Sequence, residues 1–173
     1  MELDRVIIIP SHVPPHKAAP DLASDEQRLA MCEATFTDKR FLVSDLEMRR
    51  GGLSYTVDTL AYLQEEVGGE LFFLIGDDML FYFDKWRDPH GVLRRCRIVT
   101  SVRSEDVKLE ELEAYARRHF PDEYEAGRFV FLPMTPFPVS STEIRNKVRD
   151  GEPVDGLVSP GTLELIRKGA LYL

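Results

Sequence analysis

"RVIIIPSHVPPHK", residues 5–17, runs from a short apolar strand, Val6–Ile9, straight into a loop with a diproline, two histidines and a lysine. Loops of that make-up follow the carboxyl end of a strand in an open α/β sheet, where ligands bind. A site of this kind is normally shared with an earlier strand and its own loop.

The rest of the chain keeps the same alternation. Strand candidates follow at Phe41–Leu46, Leu71–Ile75, Arg97–Ser101 and Arg128–Leu132. Most are continuously apolar rather than alternating, the pattern of parallel strands covered on both faces. The helices between them have readable ends. "SDEQRLAMCEATF" places Ser24 as N-cap with Gln27 three residues on, a capping box. "SYTVDTLAYLQEEVG" starts near Ser54, sets Val57, Leu60 and Leu63 on one face and stops at Gly68. Glu105–Gly127 is the most polar stretch and reads as an exposed helix with its flanks. Two helices close the chain, 140–150 capped by Ser140 and 160–169 opened by Ser159 and Pro160. Strands and helices in strict alternation predict an α/β fold, a doubly wound parallel sheet, in one domain over 1–173.

Composition narrows the partners. A net charge of −8 excludes a general nucleic-acid-binding face, which needs a basic surface to displace counterions. A phosphate site must therefore be local. No apolar run reaches transmembrane length, "MELDR" lacks the basic start of a signal peptide, and a cytoplasmic location is expected. Cys32 and Cys96, on a helix and beside a strand, read as buried thiols rather than a disulfide.

The unusual chemistry collects after three strands: "PSHVPPHK", "GDDML" and "TPFPVSSTEIR". In a parallel sheet these loops share one edge. "SSTEIR" puts three hydroxyls at a helix start, with Arg145 one turn further in. Outward N–H groups, the positive end of the helix dipole and a guanidinium fork suit a phosphate chain. The same residues would also make a well-capped helix with a solvated arginine. His16 and Lys17 follow the diproline as phosphate ligands or as an exposed turn, and the prolines exclude a helical metal pair of His12 with His16. In "GDD", Gly76 allows close approach, and a carboxylate could hold ribose hydroxyls or simply end the strand in solvent. Trp86, the single tryptophan, sits in the polar run "FDKWRDP", where it would stack on a heteroaromatic ring or pack as a half-buried residue.

Taken in order, "IIIPSHVPPHK", "SYTVDTL", "FFLIGDDML…W", "VSSTEIRNKVRDGE" and "LVSPGTLELIRKGALY" make the chain resemble bacterial nicotinate-nucleotide adenylyltransferases from residue 3 to the C-terminus. The resemblance implies a Rossmann-like nucleotidyltransferase fold and adenylyl transfer from ATP, with Mg²⁺, to nicotinate mononucleotide, giving deamido-NAD and pyrophosphate. It implies direct attack of the nucleotide's 5′-phosphate on the α-phosphorus, with no covalent enzyme intermediate. His16 and Lys17 then match the basic pair of the substrate and phosphate region, and Thr56 the helix-start residue near the nicotinate carboxylate. Asp78 matches the ribose-holding acid, Trp86 the aromatic partner of the pyridine ring, and Ser141 and Arg145 the residues at the ATP phosphates. Arg103, in "SVRSED", stands where the family often has Arg-Pro-Gly. The implied partners are these small molecules, with no nucleic acid or membrane, and a homo-oligomer is compatible with the family.

One departure is large. The family begins with a strand followed by G-[GST]-F-[DN]-P-[IVP]-H-x-G-H, and these residues contain no such motif, so no catalytic residue is assigned. In a sheet of order 3-2-1-4-5 that strand is central, and its absence is expected to split the sheet and leave two unpaired edges. Either the true start lies upstream, or the chain is a non-catalytic pyridine-nucleotide-binding or scaffold homologue that has lost the ATP histidine motif. Residues 1–173 alone are expected to turn over poorly.

Overall fold

The computed structural model describes residues 3–15, 22–102, 106–134 and 139–173. In chain order the elements are β1 (Val6–Ile8), α1 (Asp25–Thr35), β2 (Phe41–Val43), α2 (Leu46–Arg50) and α3 (Thr56–Glu66). Next come β3 (Leu71–Gly76), α4 (Asp77–Leu80), a 3₁₀ turn (Phe83–Lys85), α5 (Pro89–Arg95) and β4 (Cys96–Ser101). The last are α6 (Leu109–His119), α7 (Pro121–Glu125), β5 (Phe129–Leu132), α8 (Ser141–Arg149) and α9 (Pro160–Lys168).

Every strand pairing is parallel, and the strands form two sheets, β1-β2 and β3-β4-β5. Among the described residues β1 pairs only with β2 and β3 only with β4. The coverage of β3 differs from the expectation of two covered faces: Ile75 is buried, but Leu74 on the opposite face is 68% exposed. β4, the middle strand, is the well-covered one, with Ile98, Val99 and Thr100 all buried.

The chain divides into two compact units, Met1–Ser54 with Val139–Leu173, and Tyr55–Pro138. In the first, α1 packs on α9. Thr35 and Thr162 hydroxyls meet at 2.7 Å, Thr162 Oγ1 donates to Met31 O at 3.1 Å, and Ser159 caps α9 through the Thr162 N–H. Gly161 lets the two helices touch, since a Cβ there would fall 3.0 Å from Ala34 Cβ. The second unit holds the larger core, built on Leu80, Phe83, Val92, Leu93, Ile98, Leu112 and Ala116. The polar stretch after β4 holds the expected helix, α6, followed by a second short one, α7, and α6 is not exposed all round. Leu112 and Ala116 turn inward from α6, and Phe120 joins the core against Phe83 at 5.3 Å.

Helix starts follow the sequence. Ser24 and Gln27 form the capping box at α1, and Ser140 Oγ accepts from the Glu143 N–H at α8. Ser54 does not cap α3; Tyr55 occupies that position. The Ser54 hydroxyl is already used, accepting the His12 N–H at 2.9 Å.

Candidate active site

The loop after β1 is latched on both sides. Arg28, one turn into α1, donates to the carbonyls of Ser11, His12 (3.2 Å) and Ala23 (3.0 Å), and its guanidinium also pairs with Asp25. Asp25, on the same helix, holds the loop as well by accepting His12 Nδ1, which fixes the ring and directs Nε2 away from the helix. Across the loop the Ser54 N–H donates to Val13 O at 2.9 Å, extending the parallel pairing of the first sheet to Val13 and Leu53. The segment leading to the diproline is thereby held in place. His16 and Lys17 themselves lie outside the described residues, as does Arg103.

In the same unit, α8 opens with Ser141 and Thr142 exposed. Arg145 Nη2 donates to Thr142 Oγ1 at 3.1 Å, so the guanidinium lies back along the first turn toward the helix N-terminus. Burial pushes the Tyr172 hydroxyl up, and the charges of Arg145 and Arg28 offset part of that rise. A folded helix start with a nearby guanidinium can hold an anion by dipole and fork together.

The second unit supplies the other candidates. β3 runs into Gly76 and α4, and the two acids of "GDD" part company there. Asp77 is 2% exposed and its carboxylate accepts the Asp78 N–H at 2.8 Å, while Asp78 is exposed. The first acid fixes the turn and the second presents its carboxylate outward. Thr56 is the first residue of α3, whose first turn is closed by Asp58 and Thr59 N–H groups on Tyr55 O at 3.1 and 3.2 Å. Trp86 is half-buried, as the packing alternative of its two sequence readings has it. The 3₁₀ turn swings it back edge-on to Phe83 (5.2 Å) and Phe73 (6.1 Å), beside the core. Arg87 then reaches the start of α3, with Cζ 4.4 Å from the centre of the Tyr55 ring and Nη1 3.6 Å from Asp58 Oδ2.

A cytidylyltransferase-like family model matches residues 1–147. A probable nicotinate-nucleotide adenylyltransferase of Clostridium acetobutylicum is 33% identical over all of this chain and 86% of its own length. The chain belongs to the nicotinate-nucleotide adenylyltransferase family. A second relative so named, from Citrobacter koseri, is 37% identical over 98% of this chain and 85% of its own length. The structure of the Plasmodium falciparum nicotinic acid mononucleotide adenylyltransferase, complexed with NaAD, aligns with a TM-score of 0.73. It is 16% identical and is covered over 83% of its length by 98% of this chain, a likeness of fold. The chain therefore has the Rossmann-type nucleotidyltransferase fold.

Within this adenylyltransferase fold the expected positions fall on two units: Ser141 and Arg145 on one, Thr56, Asp78 and Trp86 on the other. Arg28, Asp25 and Arg87 were not singled out from the sequence. Asp25 and Arg28 carry a signal, an acid and a base three apart in a first helical turn. Arg87 carries none beyond its place next to Trp86. No group of three or more His, Cys, Asp or Glu among the described residues could hold a metal by itself. No helix among them is long and apolar enough to cross a membrane.

Proposed function

We propose that the protein transfers the adenylyl group of ATP to nicotinate mononucleotide, forming deamido-NAD and pyrophosphate in NAD biosynthesis. A phosphate oxygen of the mononucleotide bonds to the α-phosphorus of ATP, and the bond from that phosphorus to the bridging oxygen breaks. The observation that carries the reading is identity of 33% to a relative of that name over the full chain. The family model spanning residues in both units supports one nucleotidyltransferase domain.

Each residue role belongs to this proposal. Ser141 and Arg145 bind the triphosphate through the helix start and the guanidinium, and His16 and Lys17 bind phosphate from the β1 loop. Asp78 accepts ribose hydroxyls, Thr56 lies at the nicotinate carboxylate, and Trp86 offers a ring face to the pyridine. In phosphoryl-type transfer such positioning and charge complementarity carry most of the catalysis. Mg²⁺ usually keeps water and takes its ligands from phosphate with one or two carboxylates, so it is read as arriving on ATP. A cytoplasmic setting, where both nucleotides are made, goes with this reading.

The test is to mix the protein with Mg-ATP and nicotinate mononucleotide and follow pyrophosphate and deamido-NAD together. Release of both in equal amounts, dependent on both substrates and slow for residues 1–173 alone, is expected. Pantetheine phosphate should not replace the pyridine nucleotide. Failure of either nucleotide to bind by calorimetry would refute the proposal. Binding of the mononucleotide without pyrophosphate release would favour a non-catalytic pyridine-nucleotide-binding protein.

A further inference from the structure

We propose that Tyr115, on α6, is a positioning residue for nucleotide binding: its hydroxyl clamps Asp84 from outside the 3₁₀ turn and so fixes where Trp86 stands. The inference rests on the pyridine-nucleotide reading above, in which Trp86 meets the substrate ring.

The connection between α4 and α5 is a run of tight turns. The Lys85 N–H donates to Tyr82 O at 3.0 Å and the Trp86 N–H to Phe83 O at 3.1 Å, each three residues back. The first N–H groups of a helical turn have no partner within it and must be satisfied from elsewhere. Tyr82, at the start of this one, makes no side-chain cap. Tyr115 fills that place from 31 residues away. The Asp84 N–H donates to its hydroxyl oxygen at 3.2 Å, and the same hydroxyl donates to Asp84 Oδ1 at 2.8 Å. One oxygen atom thus holds both the backbone and the side chain of Asp84.

Both partners are kept in the state the clamp needs. Burial pushes the Tyr115 hydroxyl up to about 12, so it stays a donor at neutral pH. Hydrogen bonds from Lys85 and then Tyr115 hold the Asp84 carboxyl below the usual carboxylate range, so it stays an acceptor. The phenol ring stacks on His119 at 4.3 Å and meets Phe81 edge-on at 5.6 Å. Lys85 and His119 also reach the second carboxylate oxygen, at 2.7 and 3.9 Å.

The far end of the segment is pinned by its own sequence. Asp88 adopts a left-handed backbone, φ 47°, and its carboxylate accepts the Gly91 N–H at 2.8 Å to start α5. Trp86 stands between these two pins, and only the one at Asp84 comes from another element. Packing on Phe83 keeps the turn folded without the clamp, so losing the hydroxyl loosens Trp86 rather than unfolding it. A side chain already set in its binding position spares the ligand the cost of ordering it. The clamp therefore acts on the ligand that Trp86 touches and on no other.

Tyr115→Phe removes the oxygen and keeps the stack on His119. Trp86 is the single tryptophan, so its emission reports on the turn before any ligand is added. In Tyr115→Phe acrylamide should quench that emission more readily in the ligand-free protein. Affinity for nicotinate mononucleotide should fall about three- to tenfold by calorimetry, the scale of one hydrogen bond, with Mg-ATP affinity unchanged. Asp84→Asn keeps an oxygen to accept the hydroxyl and should behave like the unaltered chain. Asp84→Ala should match Tyr115→Phe, and the two changes together should lose no more than either alone. Mononucleotide affinity and quenching unchanged in Tyr115→Phe, or equal weakening of both nucleotides, would overturn the inference and leave Tyr115 as a packing residue of α6. Those outcomes leave the pyridine reading standing. If the unaltered chain bound no mononucleotide, that reading would fall and the positioning role with it.

Discussion

Replacing Arg145 with alanine should weaken ATP binding while leaving the fold almost untouched. The side chain sits one turn into α8, and its described hydrogen bond, 3.1 Å to Thr142 Oγ1, lies on the exposed surface of the helix. Exposed contacts of this kind contribute about 0–1 kcal/mol. The cap that starts the helix, Ser140 Oγ to the Glu143 N–H at 3.1 Å, does not involve Arg145. The melting temperature should therefore move by no more than about 2–4 °C, the equivalent of roughly 1 kcal/mol in a chain of this size. A hydrogen bond from a guanidinium to a phosphate is worth about 1.5–3 kcal/mol, so Mg-ATP affinity should fall roughly 10- to 150-fold. Calorimetric titration and a thermal melt on the same sample measure both quantities. A third reading comes from Tyr172, whose hydroxyl Arg145 helps to keep from rising further; in the variant its ultraviolet titration should move to higher pH. Unchanged ATP affinity with a melting temperature lowered by ten degrees would show that Arg145 is structural, and the phosphate assignment of α8 would be wrong.

Trp86→Ala should cost about 2–4 kcal/mol in urea unfolding, because the indole packs edge-on to both Phe83 and Phe73. Trp86→Phe keeps most of that packing and should still weaken nicotinate mononucleotide binding relative to ATP; equal loss for the two ligands would make Trp86 a packing residue only. Thr162→Val removes the hydroxyl that joins α9 to Thr35 and Met31, and should lower stability by about 1–2 kcal/mol on denaturant titration. No change there would mean that the hydroxyls contribute nothing net at this helix contact. Burial pushes the Cys96 thiol up from an ordinary 9.0 to about 12. The unfolded chain therefore loses this proton first, and the stability it contributes, complete below pH 9, declines as pH rises toward 12. Cys96→Val should flatten that alkaline slope in melts taken across the interval, and an unaltered slope would exclude the thiol as its source.

The elements most legible in the sequence were those set by near neighbours. Continuous apolar runs placed all five strands to within a few residues, and Ser24, Ser140 and Ser159 capped helices because their partners lie three residues on. The strands fall into one sheet of two and one of three. The start of α3 near Ser54 was legible, whereas the use of the Ser54 hydroxyl by His12, 42 residues away, was not. The two acids of "GDD" are indistinguishable as letters; burial of Asp77 alone separates the one that holds the turn from the one left outward. Packing was one of the two roles open to Trp86 from the sequence; that its partner is Phe73, 13 positions back and on a different element, was not legible. Arg87 was invisible for a like reason, since only the folded turn brings it over Tyr55.

The unit that holds β1 and β2 is interrupted in the chain, with residues 55–138 lying between its two halves. During synthesis those intervening residues leave the ribosome as a continuous segment and can complete their own core before α9 exists. The first half must wait. The bond from Thr35 to Thr162 joins positions 127 apart, and the surface of α1 that receives Gly161 stays uncovered until nearly the last residues have emerged. Because domains commonly fold as they emerge, residues 139–173 act as a late closing clamp on the first half of this unit. Shortening the C-terminus by as little as α9 would leave the first half permanently in that waiting state, open to proteolysis at α1 while the middle segment stays folded.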